Sequence, residues 1–150
     1  MYNMKNYAVY VSGKATRIRK AILQYDELAK AIKCIVTDEA FDSELQNFFS
    51  AYDISYYAFD YRKKEKSLDR NLLLSDFMLH IFNEKQIDYG FSFGGHILKG
   101  ELLDKYENHL INFHPGILPD VVGLNAIDKA LLEKKQYIGN TVHFIDSGID

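Results

Sequence analysis

Short apolar stretches alternate with longer amphipathic segments along this chain, and that alternation constrains its fold more than any other feature. The stretches are rich in β-branched and aromatic residues, whereas the segments between them repeat apolar residues at the helical spacing. A repeated strand and helix is typical of βαβ units around a parallel sheet. We therefore predict an α/β fold, doubly wound, with a mostly parallel sheet and helices on both faces.

The bounds of the predicted elements follow from the same pattern. The predicted strands are residues 7–11, 32–37, 55–59, 89–93, 110–113 and 141–145. The predicted helices are residues 15–25, a helix capped by Asp38 or Asp42, a helix from Ser67 or Asp69 to residue 84, and residues 99–106 and 124–133. The charged run 61–66 is interpreted as a solvated loop without a function of its own.

Length and composition are those of one domain. The chain has 150 residues, of which 47% are hydrophobic and 14% aromatic, enough to fill a core. A net charge of -3 gives no electrostatic reason to expect nucleic acid or an anionic membrane as a partner.

Cys34 is the only cysteine, which excludes an internal disulfide, and its apolar surroundings predict burial in a strand. No membrane span or signal peptide is recognisable, so we expect a cytoplasmic protein that acts on small molecules; a homo-oligomer is left open.

Asn112 and His114 lie at the end of the fifth predicted strand, two residues apart, so both side chains project to the same side of the sheet. Open α/β sheets bind ligands beyond the carboxyl ends of their strands, and the pair lies at such an end. Pro115 fixes the following turn, and Gly116 lets the backbone approach a ligand closely. A single histidine at a strand end is more often structural, so the pair gains weight only from other residues.

An acidic turn follows the sixth predicted strand. Asp146 and Asp150 flank Gly148 there, and two such carboxylates could orient a histidine or keep it protonated. Taken alone, the segment is an ordinary acidic turn. It matters only in combination with Asn112 and His114.

Two loops at other strand ends have the composition of ligand-binding loops. The turn after the fourth strand could receive a flat heteroaromatic ring, although a tight turn before a helix is the alternative. The loop after the first strand offers a helix N-terminus, hydroxyls and cations to a phosphate or carboxylate, although Ser12 or Thr16 could instead cap the helix. The candidate ligand-binding residues are Gly95, His96, Ile97 and Leu98 in the first loop, and Ser12, Gly13, Thr16 and Arg17 in the second.

Several common sites are excluded. The loop after the first strand lacks the glycines of a G-x-G-x-x-G motif or a P-loop. No Gly-x-Ser-x-Gly elbow is present. No histidine has metal-ligand spacing to a second histidine or a cysteine, so we reject a zinc site.

The chain resembles the glycinamide ribonucleotide formyltransferase-like family, and the resemblance covers essentially its whole length. It is carried by a series of ordered blocks: Ser12-Gly13, residues 93–98, Asn112-x-His114-Pro115-Gly116-x-Leu118-Pro119, Gly123-Leu124, Gly139-x-Thr141-Val142-His143-Phe144 and Asp146-x-Gly148-x-Asp150. The block around His114 is highly specific, whereas the first glycine turn is not.

The resemblance implies a Rossmann-like formyltransferase fold and a folate-dependent enzyme whose formyl donor is 10-formyltetrahydrofolate. Asn112, His114 and Asp150 take the positions of the family's catalytic triad. The pterin ring would lie between the turn 93–98 and the loop 146–150, which makes Asp146 a binding residue. The acceptor would be a primary amine of a small phosphorylated or sugar-nucleotide substrate.

Two departures from the family pattern shape these expectations. The Gly-x-Gly-Ser-Asn turn that binds the phosphate of glycinamide ribonucleotide is replaced by Gly13-Lys14-Ala15-Thr16-Arg17, so an amino sugar on a nucleotide is a competing acceptor. The sequence stops at Asp150, so we expect a domain without its C-terminal strand and helix, which could be inactive in this form. The alternatives are hydrolysis of the same donor and a non-catalytic folate-binding or assembly module.

Overall fold

Six strands form one sheet in the computed structural model, which describes residues 4–123 and 125–148. The strands are Tyr7–Val11 (β1), Ile32–Thr37 (β2), Ser55–Ala58 (β3), Tyr89–Phe93 (β4), Leu110–His114 (β5) and Thr141–Phe144 (β6). Their order is β3-β2-β1-β4-β5-β6, and all neighbours are parallel except β5 and β6. The prediction of a mostly parallel, doubly wound sheet is confirmed.

The helices agree with the sequence pattern with one omission. They are Thr16–Gln24 (α1), Asp26–Ala31 (α2), Ser43–Ser50 (α3), Arg70–Glu84 (α4), Glu101–Lys105 (α5) and Ala126–Leu132 (α6). Helix α2 was not predicted from the sequence, because six residues are too few to establish a helical period. A short 3₁₀ turn, Tyr61–Lys63, lies within the charged run that was predicted to be a loop.

Aspartates cap the helices that precede the site. Asp42 accepts hydrogen bonds from the backbone N–H groups of Glu44 and Leu45 at the start of α3, and Asp69 accepts one from Leu72 at the start of α4. The alternative caps considered from the sequence, Asp38 and Ser67, are therefore wrong. An aspartate at this position satisfies N–H groups that have no partner within the helix.

The sheet is covered on both faces. On one face, β1 and β2 pack against α4 and α5 in a core that includes Tyr10, Cys34, Val36, Met78, Phe82 and Leu102. On the other face, the same strands pack against α1, α2 and α3 in a core that includes Val9, Ile35, Ile22, Ala29 and Phe49. Cys34 is fully buried in β2, as predicted. No helix within residues 4–123 and 125–148 is long and apolar enough to cross a membrane.

The strand order determines where a ligand can bind. β1 and β4 are neighbours although the chain leaves them toward opposite edges of the sheet, so a crevice opens between their carboxyl ends. One row of paired residues runs across the sheet near this crevice, and its members share a face: Tyr10 in β1, Ser92 in β4, Asn112 in β5 and His143 in β6. The sheet thus brings residues from distant parts of the sequence to one edge.

Candidate active site

A cavity of about 210 Å³ lies at the carboxyl ends of β4 and β5. It brings together Asn112 and His114 with Gly95, His96, Ile97, Leu98 and Asp146, all of which were predicted as site residues. Five other lining residues were given no site role from the sequence: Ser92, Phe113, Gly123, Asn125 and Ile145. The strand-end glycines and the Asn112–His114 pair thus share one concave site, as expected for a ligand cleft.

His114 is buried at the end of β5 and is held by the loop that follows it. Its Nε2 lies 2.7 Å from the backbone oxygen of Val121, and because a carbonyl can only accept, Nε2 carries a proton and donates. Gly116 packs closely against the same ring, since an added Cβ would lie 2.9 Å from His114 Nε2 and 2.8 Å from the Val121 oxygen. The loop therefore fixes both the position and the tautomer of His114.

Asn112 is oriented by the neighbouring strand. Its Nδ2 lies 3.3 Å from Nε2 of His143, the residue paired with it in β6. The other ring nitrogen of His143, Nδ1, donates to the backbone oxygen of Phe144 at 2.9 Å, so in the neutral ring Nε2 is the acceptor. The Asn112 amide nitrogen thus points toward β6.

The turn after β4 is anchored on β1 by two hydroxyls. Gly95 N–H donates to Ser12 Oγ at 2.8 Å, and His96 N–H donates to the Tyr10 hydroxyl at 3.2 Å. Burial, together with the carboxylate of Asp38, raises the pKa of Tyr10 far above its ordinary value, so this hydroxyl keeps its proton. The imidazole of His96 stacks on the Tyr61 ring at 3.6 Å between centroids.

Asp38, Tyr10 and Tyr61 were not recognised as site residues from the sequence. Asp38 was considered only as a helix cap, and Tyr61 lies in the charged run that was given no function. One signal was available, because Tyr10 and Asp38 lie near the carboxyl ends of two strands that a doubly wound order places side by side.

A second cavity, of about 190 Å³, lies beside the loop between β1 and α1 and is lined by Ser12, Lys14, Thr16 and Arg17 among others. The structure therefore brings three predicted substrate residues to one wall, and Gly13 lies in the same loop with a left-handed φ of 62°. The Ser12 hydroxyl donates to Asp38, so in this structure it is engaged away from the cavity. Because Ser12 also accepts from Gly95, the two cavities are adjacent.

The start of α1 differs from the alternative considered from the sequence. Neither Ser12 nor Thr16 caps the helix: its N-cap is Ala15, in a left-handed conformation and without a side-chain hydrogen bond among the described residues. The first turn also contains no acidic residue. Lys14 pairs with Asp42 at 3.0 Å, whereas Arg17 is exposed at the cavity wall. The N–H groups of this helix end are thus available to an anion.

The acidic turn after β6 contributes Asp146 and Gly148 to the larger cavity. Asp146 is exposed, and its Oδ1 accepts a hydrogen bond from Gly148 N–H at 2.7 Å. Asp150, the third predicted catalytic residue, lies outside the described residues. Within the part of the chain that the structure describes, no three His, Cys, Asp or Glu side chains are grouped as metal ligands.

Comparison with known proteins identifies a family. The family model described as formyl transferase matches residues 5–150. The phosphoribosylglycinamide formyltransferase of Bacillus subtilis is 26% identical over 98% of this chain and 74% of its own length.

The fold of this chain is similar to solved structures of formyltransferases. The phosphoribosylglycinamide formyltransferase of Bacillus halodurans is 27% identical, with a TM-score of 0.78 over 97% of this chain and 74% of its own. A formyltetrahydrofolate deformylase from Pseudomonas syringae has a TM-score of 0.79 over 99% of this chain and 48% of its own; at 20% identity it shows the shared fold alone.

The family match confirms the resemblance that the motifs indicated. Its members are folate-dependent formyltransferases, and their formyl donor is 10-formyltetrahydrofolate. Since the family model covers nearly the entire sequence, the chain belongs to the formyl transferase family.

Proposed function

We propose that this chain transfers the formyl group of 10-formyltetrahydrofolate to a primary amine of a small phosphorylated or sugar-nucleotide substrate. The observation that carries the proposal is the placement of Asn112 and His114 in one cavity with the turn 94–98. A formyl group held between the two side chains would have hydrogen-bond donors directed at its oxygen. The rest of the cavity would hold the folate ring system.

The walls of the 210 Å³ cavity suit a flat heteroaromatic ring. Ile97, Leu98 and Ile145 supply apolar surface, and the backbone of the turn supplies polar groups at the ring edge. His96 also lines the cavity, and its ring is held in place by stacking on Tyr61. We assign Gly95, His96, Ile97, Leu98 and Asp146 to donor binding.

The reaction joins the acceptor nitrogen to the formyl carbon and then breaks the bond from that carbon to the folate nitrogen. In the tetrahedral intermediate the formyl oxygen carries negative charge, which donors placed in advance stabilise. In our proposal the Asn112 amide and a protonated His114 donate to that oxygen. The proton lost by the attacking amine passes to the departing folate nitrogen, through a water held near the site.

The proposed mechanism requires His114 to be protonated, and a nearby carboxylate would favour that state. Its Nε2 already donates to the Val121 oxygen, so the state of Nδ1 determines whether the ring is an imidazolium. We propose that Asp150, by its match to the family motif, stabilises that cation and aims the ring. A carboxylate beside a histidine favours the charged form of the ring.

The acceptor would be held at the neighbouring cavity. The uncapped end of α1, with Thr16 and Arg17, would form an anion-binding wall next to the turn that faces the formyl group. The Gly13 N–H donates to Glu39 Oε1 at 3.4 Å, so it is engaged away from this wall. A phosphate or diphosphate on the amine substrate matches that wall. The motif Gly13-Lys14-Ala15-Thr16-Arg17 supports an acceptor other than glycinamide ribonucleotide, such as a nucleotide-linked amino sugar.

The test is to incubate the protein with 10-formyltetrahydrofolate and a panel of phosphorylated and nucleotide-linked amines, and to measure tetrahydrofolate and the formylated amine. Turnover that is lost in His114→Ala and kept in His80→Ala, an exposed helix position, supports the proposal. Formate released without any amine would instead indicate donor hydrolysis. Folate binding without any turnover would indicate a binding module.

A further inference from the structure

A buried carboxylate lies beneath the turn that follows β4. Asp38, the residue after β2, is only 4% exposed. Its Oδ2 accepts hydrogen bonds from the hydroxyls of Tyr10 and Ser12, each at 2.5 Å. Among the described residues that line the 210 Å³ cavity, neither Asp38 nor Tyr10 occurs. The carboxylate therefore acts on its neighbours rather than on a ligand in that cavity.

The hydrogen bonds of this cluster run in one direction. Each hydroxyl has a single proton, and both protons are directed to Asp38. The lone pairs of the two hydroxyl oxygens are then left to accept from the turn: Ser12 Oγ from Gly95 N–H and the Tyr10 hydroxyl from His96 N–H. Asp38 thus makes both hydroxyls acceptors, and two consecutive amides of the turn are fastened to β1.

The turn also rests directly on the Tyr10 ring. A Cβ added at Gly94 would overlap that ring, so the backbone lies flat against it. On the other side, His96 is held between the Tyr61 ring and Asp38, with Nε2 3.7 Å from Oδ2. The Gly95 and His96 residues of this turn are therefore held by Ser12, Tyr10 and Asp38, and both hydroxyls donate to Asp38.

We propose that Asp38 is a positioning residue for the formyl donor. It orients the Tyr10 and Ser12 hydroxyls, and these fix the Gly95–His96 backbone in the wall of the cavity that also contains Asn112 and His114. The inference rests on the proposed function, because it takes the turn 94–98 as the wall of the folate site. It gives a role to Asp38 and Tyr10, which do not line the cavity.

The experiment combines ligand binding with backbone amide exchange. The affinity for 5-formyltetrahydrofolate, a stable folate, is measured by calorimetry in Tyr10→Phe, Asp38→Asn, Asp38→Ala and the double variant Tyr10→Phe with Asp38→Asn. Tyr106→Phe is the matched control, because its hydroxyl donates to the Ile87 oxygen, which lies before the start of β4 and so at the opposite end of the strands from the turn. Exchange at Gly95 and His96 is followed by NMR without ligand.

Tyr10→Phe and Asp38→Ala should each weaken folate binding about five- to tenfold. Asp38→Asn keeps an acceptor oxygen and should lose less than Asp38→Ala. The double variant should lose less affinity than the product of the two single losses, because both changes interrupt the Asp38–Tyr10–His96 chain, while Asp38→Asn also perturbs the Ser12–Gly95 contact. The His96 amide should exchange faster in Tyr10→Phe, and Tyr106→Phe should change neither quantity.

Two results separate failure of this inference from failure of the proposed function. If the unmodified protein binds folate and a folded Tyr10→Phe binds it equally well, with unchanged exchange at His96, the positioning role is overturned. If the unmodified protein binds no folate, the assignment of the cavity fails, and amide exchange alone decides whether Asp38 orders the turn. Unchanged exchange at Gly95 and His96 in folded Asp38 variants would then overturn the role as well.

Discussion

The amide of Asn112 and the imidazole of His143 meet across the antiparallel pair of β5 and β6, with Nδ2 3.3 Å from Nε2. The contact directs the amide nitrogen of a proposed catalytic side chain, so His143 should affect the reaction without contacting the formyl group.

Replacing His143 by Phe should therefore slow formyl transfer by about fivefold, since one neutral hydrogen bond contributes about 1 kcal/mol. His143→Gln keeps an acceptor atom and should retain more activity. The initial rate of tetrahydrofolate formation measures both. In an Asn112→Ala background the His143→Phe change should cost nothing further; an equal cost in both backgrounds would contradict the role of this contact.

Arg17 is an exposed cation at the wall of the smaller cavity, where the other exposed cation, Lys14, pairs with Asp42. Arg17→Ala should raise the KM for a phosphorylated amine roughly tenfold, because a charge-assisted hydrogen bond to phosphate is lost, and should leave the KM for the folate donor unchanged. Lys20→Ala removes the same charge from an exposed position of the same helix and is the control. Equal effects of the two variants would indicate a general electrostatic contribution instead of a phosphate site.

Gly94 and Gly95 should respond differently to a methyl group. At Gly94 an added Cβ would overlap the Tyr10 ring, whereas at Gly95 the nearest atom is Ser12 Oγ at 3.6 Å, an ordinary contact. Gly94→Ala should lower the free energy of unfolding by about 1–3 kcal/mol, and Gly95→Ala by much less. Urea denaturation measures the difference, and equal stabilities would show that the turn does not rest on Tyr10 as described.

Cys34 should be unreactive in the folded protein. Burial raises the pKa of its thiol to about 12, despite the opposing effect of Lys85, so almost no thiolate exists at pH 8. A thiol-specific reagent at pH 8 should modify Cys34 only after urea unfolds the chain; rapid modification without urea would contradict its burial.

The raised pKa of Cys34 also sets the sign of its effect on stability. The neutral, buried thiol of Cys34 contributes to the free energy of unfolding. This contribution is fully present below about pH 8.5, the pKa of the thiol in the unfolded chain, and it is lost as the pH rises from there toward the raised pKa of the thiol in the folded protein. Cys34→Ala should therefore lose less stability between pH 8 and pH 10 than the unmodified protein does. Urea midpoints at the two pH values provide the comparison.

The sheet could be predicted from the sequence because its strands are short and rich in β-branched or aromatic residues. The bounds of β1, β2 and β4 agree at both ends, since these central strands are mostly apolar or aromatic. The cavity around Asn112 and His114 was also predictable, because residues two apart at a strand end must share a side. Because side chains alternate along a strand, this prediction needs no knowledge of contacts between distant segments.

Contacts between distant segments could not be predicted in the same way. Asp38 is adjacent to a helix-rich segment in the sequence, so a cap was the natural interpretation, yet it lies 28 residues from Tyr10 and bonds to it across the sheet. Tyr61 was not predicted as a site residue because it begins a run of charged residues that was interpreted as a solvated loop. In the structure its ring stacks on His96. The doubly wound order places Tyr10 and Asp38 near each other, but local pattern specifies neither their hydrogen bond nor the stacking of Tyr61 on His96.

The direct test of the central claim is the rate of tetrahydrofolate formation from 10-formyltetrahydrofolate, with the best acceptor amine, in Asn112→Ala, His114→Ala and the double variant. Each single change should lower the rate about 10²–10³-fold, as loss of an oxyanion donor does, and the double variant should be much less impaired than the product of the two losses predicts. His80→Ala should match the unmodified protein. Turnover in His114→Ala at the rate of the unmodified protein would contradict the account.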